Sequence, residues 1–522
     1  MRQWLRDLLI ALSWANLCFL NMWSPFLTYT RADTYLMKTP PPPTGYMAVF
    51  LNVLLLGGLL WVGITIVRRY LSGRILMLAH SVFLLLLLFP LSALRNTLAP
   101  YLPYLSGEWL FGVLGESGVT LLPVTCAIML VLVLLRWPTK LSRMAATVLL
   151  ILFPFVPVTY LQGIVAVTHQ APAVFTPKPL APPLQDAKTT PRMLWIIFDE
   201  LDQRLVFDER PASIALPEFD RFRCQALSAS QAYSPSNRTL TSLPALITGR
   251  WVTQAEEVNA DKLLVQFVDA PEPVPWGQVP SVFSKARTAG FNTALIGFYH
   301  PYCRILSTLT SCWWYDMPML WNSLRGGLLY TMLDQARNLF ETPTLSLFHQ
   351  SLATMRHAHD HQDFVERAER VATNPAYGLS LLHFGIPHGP HFYDRVTHQP
   401  VLGNAAFRGY VDSLVLTDRT LGQLRRAMEH AGMWDTTTML ISSDHSFRSE
   451  RALDGKLDRR IPFLLKLSGQ DTAVSYELPF NSIITHDLIL AILHSELVTP
   501  QEVIAWLDQR RMESPEAHQT FK

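Results

Sequence analysis

The chain has 522 residues, a formal net charge of +2 and a mean hydropathy of +0.19. The balanced charge gives no basic field of the kind nucleic acid requires, and no nucleic-acid partner is expected. The hydropathy is high for a soluble enzyme, and its excess lies before residue 169.

Five apolar runs come first: Leu8–Tyr29, Met47–Ile66, Ile75–Leu94, Thr120–Leu135 and Ala145–Thr168. Most approach the roughly 20 residues a helix needs to cross a bilayer. Buried soluble helices are also apolar, but five such runs in series favour a membrane domain of about five helices. Arg2 and Arg6, then Arg68, Arg69 and Arg74, then Arg136, Lys140 and Arg143 fall in alternate loops. Basic loops mark the cytoplasmic side. The N-terminus is therefore expected inside, and everything after Thr168 outside a plasma (inner) membrane, periplasmic or extracellular. The first run is too long, and lacks a small-residue cleavage site, to be a removable signal.

Prolines 172, 177, 179, 182 and 183 make 169–190 an extended linker. The expected division is thus 1–168 membrane domain, 169–190 linker and 191–522 external domain. From Pro191 onward strand-like runs (193–198, 292–298, 379–385, 437–442, 461–467) alternate with amphipathic helices (282–288, 410–431, 483–493). That alternation predicts an α/β sandwich around a largely parallel sheet. Residues 313–375 interrupt it and read as a helical insertion over the active site. Within them, His357 and His361 share a helix face, but no third ligand accompanies them, and a solvated polar helix is the expectation.

Chemistry gathers at three places. The runs Trp195–Phe198 and Leu440–Ser442 end in Asp199-Glu200 and, past Ser443, in Asp444-His445. Ligands in α/β sheets cluster beyond such strand ends. Between them Ser234–Arg250 reads as a loop feeding a helix, with hydroxyls at Ser236, Thr239, Thr241 and Ser242. A helix N-terminus stabilises an alkoxide or bound anion; simple N-capping is the plainer alternative. Of the five cysteines, Cys18 and Cys126 fall in expected spans. An oxidising compartment permits a Cys303–Cys312 disulfide closing a short loop, which leaves Cys224 free and, as a small apolar side chain, expected to be buried.

Together these motifs resemble the alkaline phosphatase superfamily, in its sulfatase-like branch, which includes membrane phosphoethanolamine transferases and lipoteichoic acid synthases. The sulfatase nucleophile stands ten residues before the Gly of a Thr-Gly-Arg; counting back from Gly249 reaches Thr239. The transferase nucleophile stands five residues before the Pro of a Ser-Val-Pro; counting back from Pro244 also reaches Thr239. The resemblance covers roughly residues 193–462. It implies that Thr239 is the nucleophile and, with Asp199, Asp444 and His445, a metal ligand. Two carboxylates, an imidazole and a hydroxyl suit Zn²⁺ best, with Mn²⁺ or Ca²⁺ as alternatives. His300 resembles a sulfatase anion-binding His, although Phe298 stands where that motif has Lys; His388, in Pro387-His388-Gly389-Pro390, resembles another. His383 and His391 lie nearby in sequence and match less well. Glu200 matches the second acid of sulfatases and is expected behind the ligands. Ser446 replaces the Gly of the transferases' Asp-His-Gly, and the further His expected after it is missing until His486. Lys456, with Arg459 and Arg460, is expected to supply positive charge there.

The resemblance implies a membrane-anchored enzyme moving a phospho-alcohol group, phosphoethanolamine or phosphoglycerol, through a phospho-threonine. The donor would be a membrane phospholipid, the acceptor a cell-envelope glycan or lipid-linked acceptor. The alternative is a phosphodiesterase or sulfuric ester hydrolase on an external substrate. Sulfatases need Cys or Ser to make formylglycine, and Thr239 offers neither.

Overall fold

The computed structural model describes residues 2–20, 22–23, 34–38, 43–98, 102, 121, 125, 128, 136–169, 179–317, 327–339, 352–401, 406–450 and 455–513. The chain packs as two units whose segments interleave in sequence. The first comprises Met1–Tyr29, Pro40–Ala171 and Met319–Leu352; the second comprises Thr30–Thr39, Pro172–Pro318 and Ala353–Lys522.

The first unit is built from apolar helices. Among the described residues, three stretches are long and apolar enough to cross a membrane: Pro43–Tyr70, Gly73–Arg95 and Pro138–Val165. Large side chains along them face outward; Leu59, Leu78 and Leu161 are each at least 64% exposed. That exposure is unfavourable in water and harmless in lipid. The first expected run supplies the helix Gln3–Cys18, of 16 residues. The fourth, 120–135, lies almost wholly outside the described residues, so three candidate spans stand where five were expected. Inside the unit Trp23 meets Phe50 edge-on at 5.0 Å. The helix Leu328–Asn338 also belongs here, contrary to its expected place over an active site. Asn52 Nδ2 donates to Met332 O and Gln335 Oε1, and Gln335 Nε2 donates to Gly45 O. Its polar contacts with Asn52 and the backbone of the helix Pro43–Tyr70, rather than alternation with strands, decide its allegiance.

The second unit holds the strands β1 Met193–Asp199, β2 Leu227–Tyr233, β3 Val252–Asn259, β4 Lys262–Phe267, β5 Val274–Pro275, β6 Thr293–Phe298, β7 Ser311–Tyr315, β8 Leu379–Pro387, β9 Tyr393–Asp394, β10 Gln399–Pro400, β11 Thr438–Ser442, β12 Arg460–Lys466, β13 Val474–Tyr476 and β14 Phe480–Asn481. Nine form one sheet in the order β13-β2-β12-β11-β1-β8-β6-β7, with β14 beside β2. Central β1, Met-Leu-Trp-Ile-Ile-Phe-Asp, is buried at every residue. Its alternation feeds two cores: Met193, Trp195 and Ile197 pack on one face, Leu194, Ile196 and Phe198 on the other. A strand apolar on both faces belongs inside a helix-covered parallel sheet, and each such side chain contributes about 1.5–3 kcal/mol on burial. β1 runs parallel to β11 and β8, and β6 parallel to β8 and β7. β12 is antiparallel to both β11 and β2, so the sheet is mixed. The linker's end runs along this unit, Ala181 N–H bonding Leu309 O and Lys188 N–H bonding Gly290 O.

The parallel strands bring their carboxyl ends to one edge. Asp199 closes β1, Asp444 and His445 follow β11, His300 follows β6, and His388 follows β8.

Candidate active site

The helix Thr239–Thr248 starts at this edge. Its N-cap position is Arg238, whose side chain makes no capping bond, so the hydroxyls here do not cap in the ordinary way. Ser236 Oγ pairs with Thr241 Oγ1 at 2.5 Å, and Ser242 Oγ donates to Asp444 O at 2.6 Å. The helix ends at Gly249, whose φ of 68° is a left-handed conformation that glycine adopts without strain. His486 packs against Gly249, at the far end of the helix and about 15 Å from Thr239, so it cannot replace the missing transferase histidine.

Thr239 Oγ1 donates instead to Asp444 Oδ2 at 2.7 Å and lies 3.3 Å from His445 Nε2. His445 Nε2 is 3.4 Å from Asp444 Oδ2 and 3.8 Å from Asp199 Oδ1. His445 Nδ1 faces Ser446 O at 2.9 Å and must be the protonated nitrogen, because a carbonyl only accepts. Nε2 faces the two carboxylates. Asp199 Oδ1 is buried without a hydrogen-bond partner. Ligand atoms of Asp199, Asp444 and His445 all lie within 4.8 Å of one another. Two buried carboxylates and an imidazole nitrogen converging on one point, one oxygen without a hydrogen-bond partner, match the donor types a divalent cation takes, and the residues fit that group.

Electrostatics agree. Burial raises the Asp199 carboxyl well above its ordinary range, and Asp444 and Glu200 add to the rise. Burial would also raise Asp444, but His445, His383 and the Thr239 hydroxyl outweigh it and hold Asp444 low. Two adjacent buried acids thus behave oppositely, which is how carboxylates crowded around one site are expected to behave.

The remaining expected residues divide. Glu200 has a φ of 66°, rare for a non-glycine residue, at the end of β1. Its N–H faces Asp444 Oδ1 at 3.3 Å, while its carboxylate takes Arg448 Nε at 2.6 Å. His388 Nε2 accepts from Arg448 Nη2 at 2.9 Å, so Arg448 ties Glu200 to His388. His300 does not face outward as an anion ligand. It is fully buried behind Thr239, with Nε2 donating to Thr239 O at 3.0 Å. Burial pushes its imidazole down to about 3. The apolar run around it, with Trp276 at 5.0 Å, excludes the solvent a charged imidazole needs. Lys456 is also elsewhere: it is exposed and bonded to Glu209 at 2.7 Å, because its loop turns the long side chain toward an available carboxylate. Arg448 and Arg459, with Arg238 and Ser446, line a cavity of about 300 Å³ instead. Cys303 and Cys312 are bridged, with Cα atoms 5.4 Å apart, whereas Cys224 is free but exposed rather than buried, at the C-terminal end of the helix Pro217–Arg223.

Two residues of the site stand outside the motifs. Arg448 belongs to none of them, although it follows Asp444 by only four residues. His383, the poorer motif match, is buried, takes Tyr302 Oη on Nδ1 at 2.9 Å, and leaves Nε2 unpartnered. His357 overturns the solvated-helix expectation. It is buried, its Nδ1 donates to Pro390 O, and its ring stacks on Phe298.

The sulfatase family model matches residues 191–493, more than half the chain. No curated protein matches. Solved structures with similar folds include Ps i-CgsB with k-i-k-neocarrahexaose (17% identity, TM-score 0.43, 60% of this chain and 74% of that one). The phosphonate monoester hydrolase of Agrobacterium radiobacter gives 12%, 0.38, 58% and 77%. The lipoteichoic acid synthase LtaP of Listeria monocytogenes gives 12%, 0.38, 59% and 72%.

Proposed function

The chain belongs to the sulfatase family of the alkaline phosphatase superfamily, and from that premise we propose that it is a membrane-anchored, metal-dependent phosphotransferase acting outside the cytoplasm. The reaction is transfer of a phospho-alcohol group, of phosphoethanolamine or phosphoglycerol type, from a membrane phospholipid to a cell-envelope glycan or lipid-linked acceptor.

One observation carries this reading: the hydroxyl buried among Asp199, Asp444 and His445 is a threonine. A threonine keeps its hydroxyl and attacks as an alkoxide, whereas sulfate-ester chemistry in this family needs an aldehyde made from Cys or Ser. Asp199, Asp444, His445 and Thr239 would hold the cation, Zn²⁺ by the donor types. Bound there, a divalent cation supplies Lewis acidity that lowers the pKa of a coordinated hydroxyl.

The chain's own residues do the rest. Thr239 Oγ1 already directs its proton at Asp444 Oδ2. The oxygen attacks phosphorus in line, the P–O bond to the diacylglycerol breaks, the departing diacylglycerol oxygen takes up the proton that Thr239 has lost, and the phospho-alcohol group rests on Thr239. The acceptor hydroxyl then displaces it, its proton returning to Thr239 Oγ1, which restores the threonine and gives ping-pong kinetics. Arg448, His388, Arg238 and Arg459 are the groups for the anionic oxygens. The three long apolar helices support residence beside a lipid donor, and the basic loops support an external catalytic unit.

The test is incubation of the purified chain with head-group-labelled phospholipids, with and without a glycan acceptor. Label passing to the glycan supports transfer. Label released to water at the same rate in both arms replaces the proposal with phosphodiester hydrolysis.

A further inference from the structure

Residues 34–38 lie in sequence between the first two apolar helices, yet they pack as part of the catalytic unit. Tyr35 is 0% exposed and Met37 1%, and Tyr35 belongs to the core under β1. Arg304 donates to Met37 O at 2.8 Å and to Lys38 O at 2.7 Å, and Lys38 N–H bonds Asp316 Oδ2 at 3.1 Å. The segment is therefore fastened by its backbone beside the Cys303–Cys312 loop.

The side-chain bond from Tyr35 toward the site is directional. Tyr35 Oη lies 2.6 Å from His300 Nδ1, and His300 Nε2 lies 3.0 Å from Thr239 O. A carbonyl oxygen only accepts, so Nε2 carries the proton, Nδ1 is the acceptor, and Tyr35 donates. The imidazole is closed in by Tyr35, Trp276 and Tyr302, with ring centroids 5.8, 5.0 and 5.5 Å away. The Thr239 carbonyl selects the Nε2–H tautomer, and the Tyr35 hydroxyl, donating to Nδ1, holds the ring in the orientation that reaches that carbonyl.

We propose that Tyr35 is a positioning residue for the nucleophile. By holding the His300 ring it fixes the Thr239 peptide at the helix N-terminus, so a segment between two membrane helices completes the active site. The proposal rests on Thr239 being the nucleophile. Tyr35 touches no substrate; it sets the backbone from which Oγ1 projects, and misplacement on the order of 1 Å costs about 100-fold in rate.

The test uses the full-length chain in detergent and the variant Tyr35→Phe, which keeps the ring and the packing and removes only the donor. Two readouts are taken: phosphodiester turnover with bis(p-nitrophenyl) phosphate, and ¹⁵N spectra of histidine-labelled protein, with His300 assigned by its loss in His300→Gln. The expected result is a kcat lowered by about 10- to 100-fold with KM little changed, and a His300 Nε2–H proton signal that moves upfield as its bond to the Thr239 carbonyl loosens. In a His300→Gln background, where no ring remains for Tyr35 to hold, Tyr35→Phe adds less than about 2-fold. A core-packing role alone would lower stability and leave the His300 Nε2–H signal in place. Wild-type kcat together with an unchanged His300 signal in Tyr35→Phe overturns the proposal. If wild-type protein turns over no phosphodiester, the functional reading falls, and the His300 signal alone still decides the role of Tyr35.

Discussion

Two histidine-bearing clusters sit in the catalytic unit, and they differ in what their buried atoms lack. In the cluster of Asp199, Asp444 and His445, lone pairs converge and Asp199 Oδ1 has no partner. In the pair His357 and His361, the ring nitrogens meet Pro390 O and the Thr420 hydroxyl, and the rings lie against Phe298 and Phe392. By spacing alone this histidine pair, one helical turn apart, is the better metal motif. What separates the clusters is polar satisfaction: the carboxylate cluster keeps a buried oxygen without a hydrogen-bond partner and fits a cation, whereas histidines bonded to a carbonyl and a hydroxyl are core residues.

The comparison is broken most directly at the carboxylate cluster. Thr239→Ala should lower turnover by about 10⁴-fold or more while the fold survives, since one methyl and one hydroxyl are lost at a helix start. Thr241→Ala, which removes only the partner of Ser236, should cost far less; the reverse ranking contradicts the assignment. Asp444→Asn should release metal and lower activity together, by about 100-fold or more, checked by metal content and turnover on the same sample. Equal losses from His357→Asn would erase the distinction between the clusters. Arg448→Ala should act on substrate handling by about 10- to 100-fold, the worth of a charged hydrogen bond, and should leave metal content intact.

The smallest effect tests the histidine pair through pH. Burial lowers His357 to about 3 against an ordinary 6.5. The unfolded chain therefore takes up a proton that the folded chain refuses. Stability contributed by the neutral ring is full above pH 6.5 and falls as the pH drops below it, by about 2 kcal/mol at pH 5. His357→Asn keeps a donor for Pro390 O and should flatten the decline of melting temperature between pH 6.5 and 5. A decline as steep as wild type would place the protonation elsewhere.

The sheet was legible because β1 and β11 are apolar runs that end in polar residues and β8 is a largely apolar run of strand length. The meeting of Thr239, Asp199, Asp444 and His445 was legible for a related reason: strand ends and a helix start place them with little help from the rest of the chain. What was not legible depended on long-range packing. Nothing local says that Leu328–Asn338 joins the apolar helices, or that Tyr35 reaches His300 across 265 positions. The roles expected of His300 and Lys456 failed because a side chain's direction depends on its surroundings. His300 meets a buried carbonyl and Lys456 a nearby Glu209, and neither partner is a sequence neighbour.

The central claim is that Thr239 carries the transferred group. Peptide mass spectrometry after brief incubation with a phospholipid donor, quenched in acid, tests it on the intact chain. A phospho-alcohol adduct on Thr239, absent in Thr239→Ala and removed by addition of acceptor, is the expected result. An adduct on Thr241 or Ser242, or full activity in Thr239→Ala, would contradict it.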